Sequence, residues 1–315
     1  MERQLERRWL APFTVNVGGV MSVHRRGTSD PAYAVDQAGA IWRASRTPAG
    51  PGTLRIAWRQ VPAGDGTGAP SVTLAGARAW GPGAGWLLDA LPVMLGEQDR
   101  PEDFTPGHPV LRELARRHAT IRIGRSGLVL ESLVPAVLEQ KVVGKEAWRA
   151  WRLLLRRFGE PAPGPAPAGM RVPPGPAALA SIPSWEWHRA GVEAVRARTI
   201  AAAARVADRL EEILVLPPGQ ADRRLQALPG IGAWTSAEVR QRACGDPDAV
   251  SVGDYHLPGI VGMALAGRPV DDAGMLELLA PYQGHRHRAS VLAWFSGARP
   301  ARRGPRLPIR DYRAL

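Results

Sequence analysis

The chain has 315 residues, 45% apolar and 22% charged, the balance of a folded globular protein rather than a disordered one. No apolar run approaches the roughly 18 residues of a membrane span, and its single cysteine, Cys244, excludes an internal disulfide, a multi-thiolate zinc site and a four-cysteine cluster. The formal net charge of +12 points to a polyanionic partner, nucleic acid first among them, with a solvated arginine-rich surface as the bland alternative.

The opening MERQLERRWLAPF has no apolar signal core, so a cytoplasmic protein is expected. Residues 1–100 read as a β-rich N-terminal domain. Thr14–Val23 is a run of β-formers broken by a Gly pair, and Tyr33–Trp42 reads as a hairpin turning at Asp36–Gly39. TLRIAWRQV alternates Leu54, Ile56 and Trp58 with Arg55 and Arg59, the period of a strand with one buried face. Pro62–Pro70 is expected to be a hairpin connection, since it lacks the Lys and Ser/Thr register of a phosphate loop.

Residues 101–300 read as a helical domain. Pro109 suits a first helical turn. Leu128–Gly159 is expected to form two helices around a loop at Gln140–Gly144, and Glu160–Pro176 an extended surface linker. Ile200, Ala203, Val206, Leu210 and Ile213 mark one amphipathic helix; another leads into Leu228 and a third follows Trp234. Residues 301–315 form a basic tail whose Arg302, Arg303 and Arg306 would add salt-sensitive affinity for nucleic acid.

LPGIG at Leu228–Gly232 lies between two helical patterns. Gly230 and Gly232 permit positive φ and a close approach to bare backbone, and the next helix offers unpaired N–H groups to a phosphate. Together with VSVGDYHL some twenty residues later, LPGIGAWTS closely resembles the helix–hairpin–helix DNA glycosylase superfamily, over roughly Leu128–Gly297. PYQGHRHRASVLAWF (Pro281–Phe295) is similar to the closing helix of its alkylpurine-excising, AlkA-type branch, which also carries a small β-sheet domain at its N-terminus. The fold class implied is mixed: a mainly α-helical glycosylase domain preceded by a smaller β-rich (α+β) domain.

The resemblance assigns Asp254 as the catalytic carboxylate, stabilising the positive charge that develops on the deoxyribose or activating water. Without it, Asp254 reads as a helix cap. The family's strand-cleaving members carry a lysine nucleophile where this chain has Trp234, and the only lysines here, Lys141 and Lys145, lie in another loop. A monofunctional glycosylase without a lyase step is therefore expected. An extruded, electron-poor base would be held between aromatic faces, for which Trp234, Trp294 and Tyr255 are the candidates. Glu238 falls where the branch offers a tyrosine, and Gly253 replaces an acidic residue.

DNA grip is expected from Gly230, Ile231, Gly232 and Thr235 of the hairpin. Gln140 and Lys141 are expected to fill the gap left by the base, with two solvated loop positions as the alternative. Lys141 stands where the branch has a leucine wedge. Arg286 and Arg288 are candidate phosphate contacts; His285 and His287, two apart on a helix, diverge too far for a metal pair. The expected reaction is hydrolysis of alkylated purines such as 3-methyladenine from damaged double-stranded DNA. It needs no cofactor, a structural monovalent cation at the hairpin being the one candidate ion. A monomer with no membrane partner, nucleoid-associated in a bacterium, is expected. A glycosylase for a deaminated, oxidised or bulky base and a non-catalytic DNA-binding module are the alternatives.

Overall fold

The N-terminal part is built on a five-stranded antiparallel sheet in the order β1-β5-β4-β3-β2, with β1 Leu5–Leu10, β2 Tyr33–Val35, β3 Ile41–Thr47, β4 Gly50–Pro62 and β5 Ser71–Trp80. The computed structural model describes residues 4–63 and 71–301. Most of the Pro62–Pro70 connection and the tail arginines Arg302, Arg303 and Arg306 lie outside them.

Leu54 and Ile56 are buried and Trp58 partly so, the alternation read from the sequence, and the Asp36–Gly39 hairpin turn is present. Thr14–Val23 is not a strand. It folds as α1, Val17–Ser22, because the Asn16 side chain accepts from the Gly19 amide at 2.9 Å and caps a turn whose Val17, Val20 and Met21 are all buried. Spacing of three and four along a capped turn outweighs β propensity here. A second helix, α2 (Ala84–Met94), adds Leu87, Leu88, Leu91 and Met94 to the same core.

Pro109 opens α3, Pro109–Arg117. The two expected helices follow as α4, Val129–Leu138, and α5, Gly144–Phe158. Every residue of α4 but Glu131 is buried, so this helix is the hub of the helical part. Its first amides, Val129 and Leu130, donate to the Glu211 carboxylate at 2.9 and 3.0 Å. Glu131 accepts from Arg43 at 2.8 Å, Ser45 at 3.0 Å and the Arg46 amide at 3.0 Å, fixing α4 against β3. The first turn of α4 thus carries one carboxylate of its own and receives a second from Glu211, both favoured by its positive end.

The proline-rich segment 160–176 is less detached than a surface linker. It folds back through a two-residue pairing of β6 (Glu160–Pro161) with β7 (Arg171–Val172). Met170 and Val172 are buried against Trp42 and Trp80, whose rings stack at 5.4 Å. The proline-rich chain supplies extended backbone, while its two apolar residues find a place on the sheet.

After α6 (Pro176–Ser181) and α7 (Ser184–Arg189), the expected single helix is two: α8, Ala194–Arg205, and α9, Ala207–Glu211, followed by a 3-10 turn. The axis breaks at Val206, yet Ile200, Ala203, Leu210 and Ile213 keep one buried stripe, and the break brings Glu211 to the head of α4. Then come α10 (Pro218–Gln226), α11 (Ala233–Val239), α12 (Leu257–Ala266), α13 (Asp272–Leu279) and α14 (Arg286–Phe295). A core of Leu111, Val261, Met275 and Ala289 joins α3 to α12–α14, apart from the larger one around α4.

Candidate active site

The turn between α10 and α11 is fixed before any ligand arrives. Gly230 has φ +89°, and a Cβ there would lie 2.1 Å from the Thr199 hydroxyl, so only glycine fits. That hydroxyl donates to the Val195 and Pro229 carbonyls at 3.1 and 3.3 Å, tying the turn to α8. From the other side, the Gln140 amide donates to the Gly230 carbonyl at 2.9 Å and the Thr235 hydroxyl at 2.8 Å. Gly230 and Gly232 are exposed, and Gly232 caps α11.

Gln140, partly exposed, clamps the hairpin from the α4–α5 loop, and Thr235, 2% exposed, is the other half of that clamp. Ile231 is buried and its amide donates to the Leu228 carbonyl at 3.1 Å. Lys141 stands exposed at the apex of the α4–α5 loop with φ +54°.

The two arginines of α14 are spoken for. Arg286 grips the Asp248 carboxylate through Nε at 2.8 Å and Nη2 at 2.5 Å, and Arg288 is buried in an ion pair with Asp99. Both sit in the first turn, where the helix's own positive end disfavours a bare cation, so carboxylates from distant segments neutralise them. Arg288 is closed off by its pairing, whereas Arg286 keeps a third of its side chain exposed.

Asp254 stands where the chain turns from Gly253 (φ +90°) into α12. Its Oδ1 accepts from the amides of His256 and Leu257 at 2.8 and 2.9 Å, and its Oδ2 from the Trp234 indole N–H at 3.1 Å. The side chain is half-buried, neither sealed in nor free in solvent. The capping role is real, and it leaves the second oxygen beside the aromatic ring of the hairpin helix. Amides at a helix start hold the carboxylate in place at little cost to its charge.

Trp234 therefore orients the carboxylate, with its ring partly buried against the α4 core. Tyr255 is 86% exposed and edge-on to His256, while Trp294 is half-exposed with the Arg299 guanidinium 4.7 Å above its ring. Among the described residues, neither ring pairs with Trp234.

Deeper along α11 lies a polar group that the sequence showed only as a departure from a pattern. Glu238, one turn beyond Trp234, accepts from the Arg242 guanidinium and the Ser251 hydroxyl, both at 2.6 Å. Gln241 donates to Ser251 at 2.9 Å, and Arg242 reaches the Val23 carbonyl at 3.2 Å. Burial opposes the charge on Glu238, yet the Arg242 guanidinium and the two hydrogen bonds hold its carboxyl below the usual range. Burial also pushes His287 down to about 4, and His24 well below its ordinary value with help from Arg43, Arg26 and Arg242. Both histidines keep some solvent exposure. Among the described residues, no group of three or more His, Cys, Asp or Glu is placed to hold a metal ion, and no helix is long and apolar enough to cross a membrane.

No protein-family model matches the chain. It is 31% identical over 205 residues to the "Probable bifunctional transcriptional activator/DNA repair enzyme AlkA" of Mycobacterium tuberculosis, a match spanning 62% of this chain and 39% of that protein. The chain thus spans about two fifths of the length of the curated relatives it matches. Its fold is similar to a 3-methyladenine DNA glycosylase from Archaeoglobus fulgidus, with a TM-score of 0.69 at 18% identity, covering 92% of this chain and 97% of that one. It is also similar to an 8-oxoguanine glycosylase/lyase from Clostridium acetobutylicum, with a TM-score of 0.64 at 11% identity, covering 94% and 98%. The chain has the fold of the helix–hairpin–helix DNA glycosylases, and in sequence it resembles their AlkA-type branch.

Proposed function

We propose that the chain is a DNA glycosylase that hydrolyses the N-glycosidic bond of alkylated purines in double-stranded DNA, acting on a base turned out of the helix. One observation carries this reading: a half-buried carboxylate, Asp254, fixed by two amides and an indole beside the helix that follows an exposed glycine hairpin. The bond between C1′ and the base nitrogen breaks with its electron pair leaving on the base, and positive charge spreads over C1′ and the ring oxygen. Asp254 stabilises that charge and orients or deprotonates the water whose oxygen bonds to C1′. An alkylated purine that carries a formal positive charge departs neutral, so one carboxylate suffices.

Trp234 occupies the position of the strand-cleaving lysine, and Lys141 and Lys145 lie at the α4–α5 loop and the start of α5. The proposed reaction accordingly ends at an abasic site. The hairpin glycines and the first amides of α11 would meet the DNA backbone, and Lys141, at its exposed apex, would enter the gap left by the base. The reaction takes no cofactor, and a monovalent cation at the hairpin is the one ion the proposal admits. The protein would act as a monomer.

The experiment is a survey of bases released from methylated, uracil-containing and 8-oxoguanine-containing duplexes. Methylated purines should be released and the strand left uncut. Release of a neutral lesion alone would replace the alkylpurine reading with another lesion class, for which the likeness to an 8-oxoguanine glycosylase/lyase fold is the reason to test it.

A further inference from the structure

We propose that Glu238 is a specificity-determining residue of the base site, its carboxylate accepting two adjacent N–H donors of the extruded purine and so favouring N7-alkylated guanine over N3-alkylated adenine. The proposal rests on the glycosylase reading above. Trp234 and Glu238 are four apart on α11 and share one face, separated by a helical turn of about 5.4 Å, roughly the reach of a purine's far edge. A second line runs beside the first: Asp254 is bonded to Trp234, and Ser251, three residues earlier, is bonded to Glu238. A nucleotide whose C1′ sits at Asp254 and whose base lies along Trp234 thus points its outer edge at Glu238.

The chemistry at that edge is specific. Oε1 accepts from Ser251 and Oε2 from Arg242, which leaves each oxygen a lone pair. Guanine presents N1–H and the 2-amino group side by side, a donor pair that matches the two oxygens of a carboxylate. Adenine presents an acceptor at N1 beside its 6-amino group, and that acceptor would face an oxygen. A buried carboxylate set against an acceptor is penalised more strongly than a good contact is rewarded. N7-alkylguanine and N3-alkyladenine are both cationic while attached to the sugar, so the fixed anion favours either over an undamaged base and the donor pair alone separates them. Arg242 acts as a positioning residue: it holds Glu238 from within the same helical segment and is itself held by the Val23 carbonyl from the N-terminal part.

The test compares release of 7-methylguanine and 3-methyladenine from one preparation of dimethyl sulfate-treated DNA, by the parental protein and by Glu238→Gln. Because both bases come from the same DNA, damage to the fold lowers both and leaves their ratio unchanged. Release of 7-methylguanine relative to 3-methyladenine should fall about tenfold or more in Glu238→Gln, since an amide offers one acceptor in place of two. An unchanged ratio would overturn the proposal while leaving the glycosylase reading intact, whereas a parental protein that releases neither base would overturn both. A measurement free of any variant is inhibition of the parental protein by free bases. Free 7-methylguanine should inhibit at lower concentration than free 3-methyladenine, and the reverse order would contradict the proposal.

Discussion

Two regions of the molecule handle charge in opposite ways. At the corner of α11 and α12, a single carboxylate is fixed by main-chain amides two and three residues ahead of it and by one indole, and it stays half-exposed. At the start of α14, Arg286 and Arg288 are matched by Asp248 and Asp99 from remote segments, the second pair fully inside the protein. The first arrangement fixes a charge and keeps it available. The second consumes charge to lock elements together. Donor type separates them: amides hold an anion without cancelling it, whereas a guanidinium cancels it. In a chain this rich in arginine, many cations are structural, and net charge alone overstates the surface offered to a polyanion.

The sharpest way to break this contrast is to remove one half of the buried pair. Arg288→Ala leaves the buried Asp99 without its ion-pair partner and should lower unfolding free energy by about 3–5 kcal/mol in urea titration. A loss below about 1 kcal/mol would mean that the pair is no lock.

A smaller effect is expected at the indole. Trp234→Phe keeps a ring but removes the N–H that meets Asp254, a hydrogen bond to a charged group worth about 1.5–3 kcal/mol. The single-turnover rate should drop by about tenfold or more while affinity for duplex DNA holds. A loss of affinity at an unchanged rate would make Trp234 a grip residue instead.

The smallest effect is in pH. The fold holds His287 neutral down to about 4, so below the ordinary histidine range the unfolded chain binds a proton that the native chain does not. Stability from this residue is fully present above about 6.5 and is lost as pH falls from there toward 4. The thermal midpoint of the parental protein should fall more steeply over that window than that of His287→Gln, and parallel curves would deny His287 this role.

What could be read from the chain follows from how far apart the interacting groups lie. LPGIG was legible as a turn and Asp254 as a cap because a positive-φ glycine, a helix start and a capping carboxylate leave their marks within some thirty contiguous residues; the catalytic role assigned to Asp254 comes from the family resemblance alone. The sheet was legible through Leu54 and Ile56, whose alternation needs no partner to be seen. Thr14–Val23 misled because a cap at Asn16 and burial of Val17, Val20 and Met21 outweigh β propensity. The pairing of Arg288 with Asp99, 189 residues apart, has no local signature, nor does Gln140 reaching the hairpin 90 residues on. A stripe of apolar residues shows that a helix packs, but it does not show that the axis breaks at Val206.

The most direct measurement is single-turnover base release from a methylated duplex by Asp254→Asn. Asparagine is as good a helix cap as aspartate, so α12 should start where it does now and stability should change little. The rate should fall by about a hundredfold or more, with binding to duplex DNA retained. Base release at the parental rate would contradict the role given to Asp254.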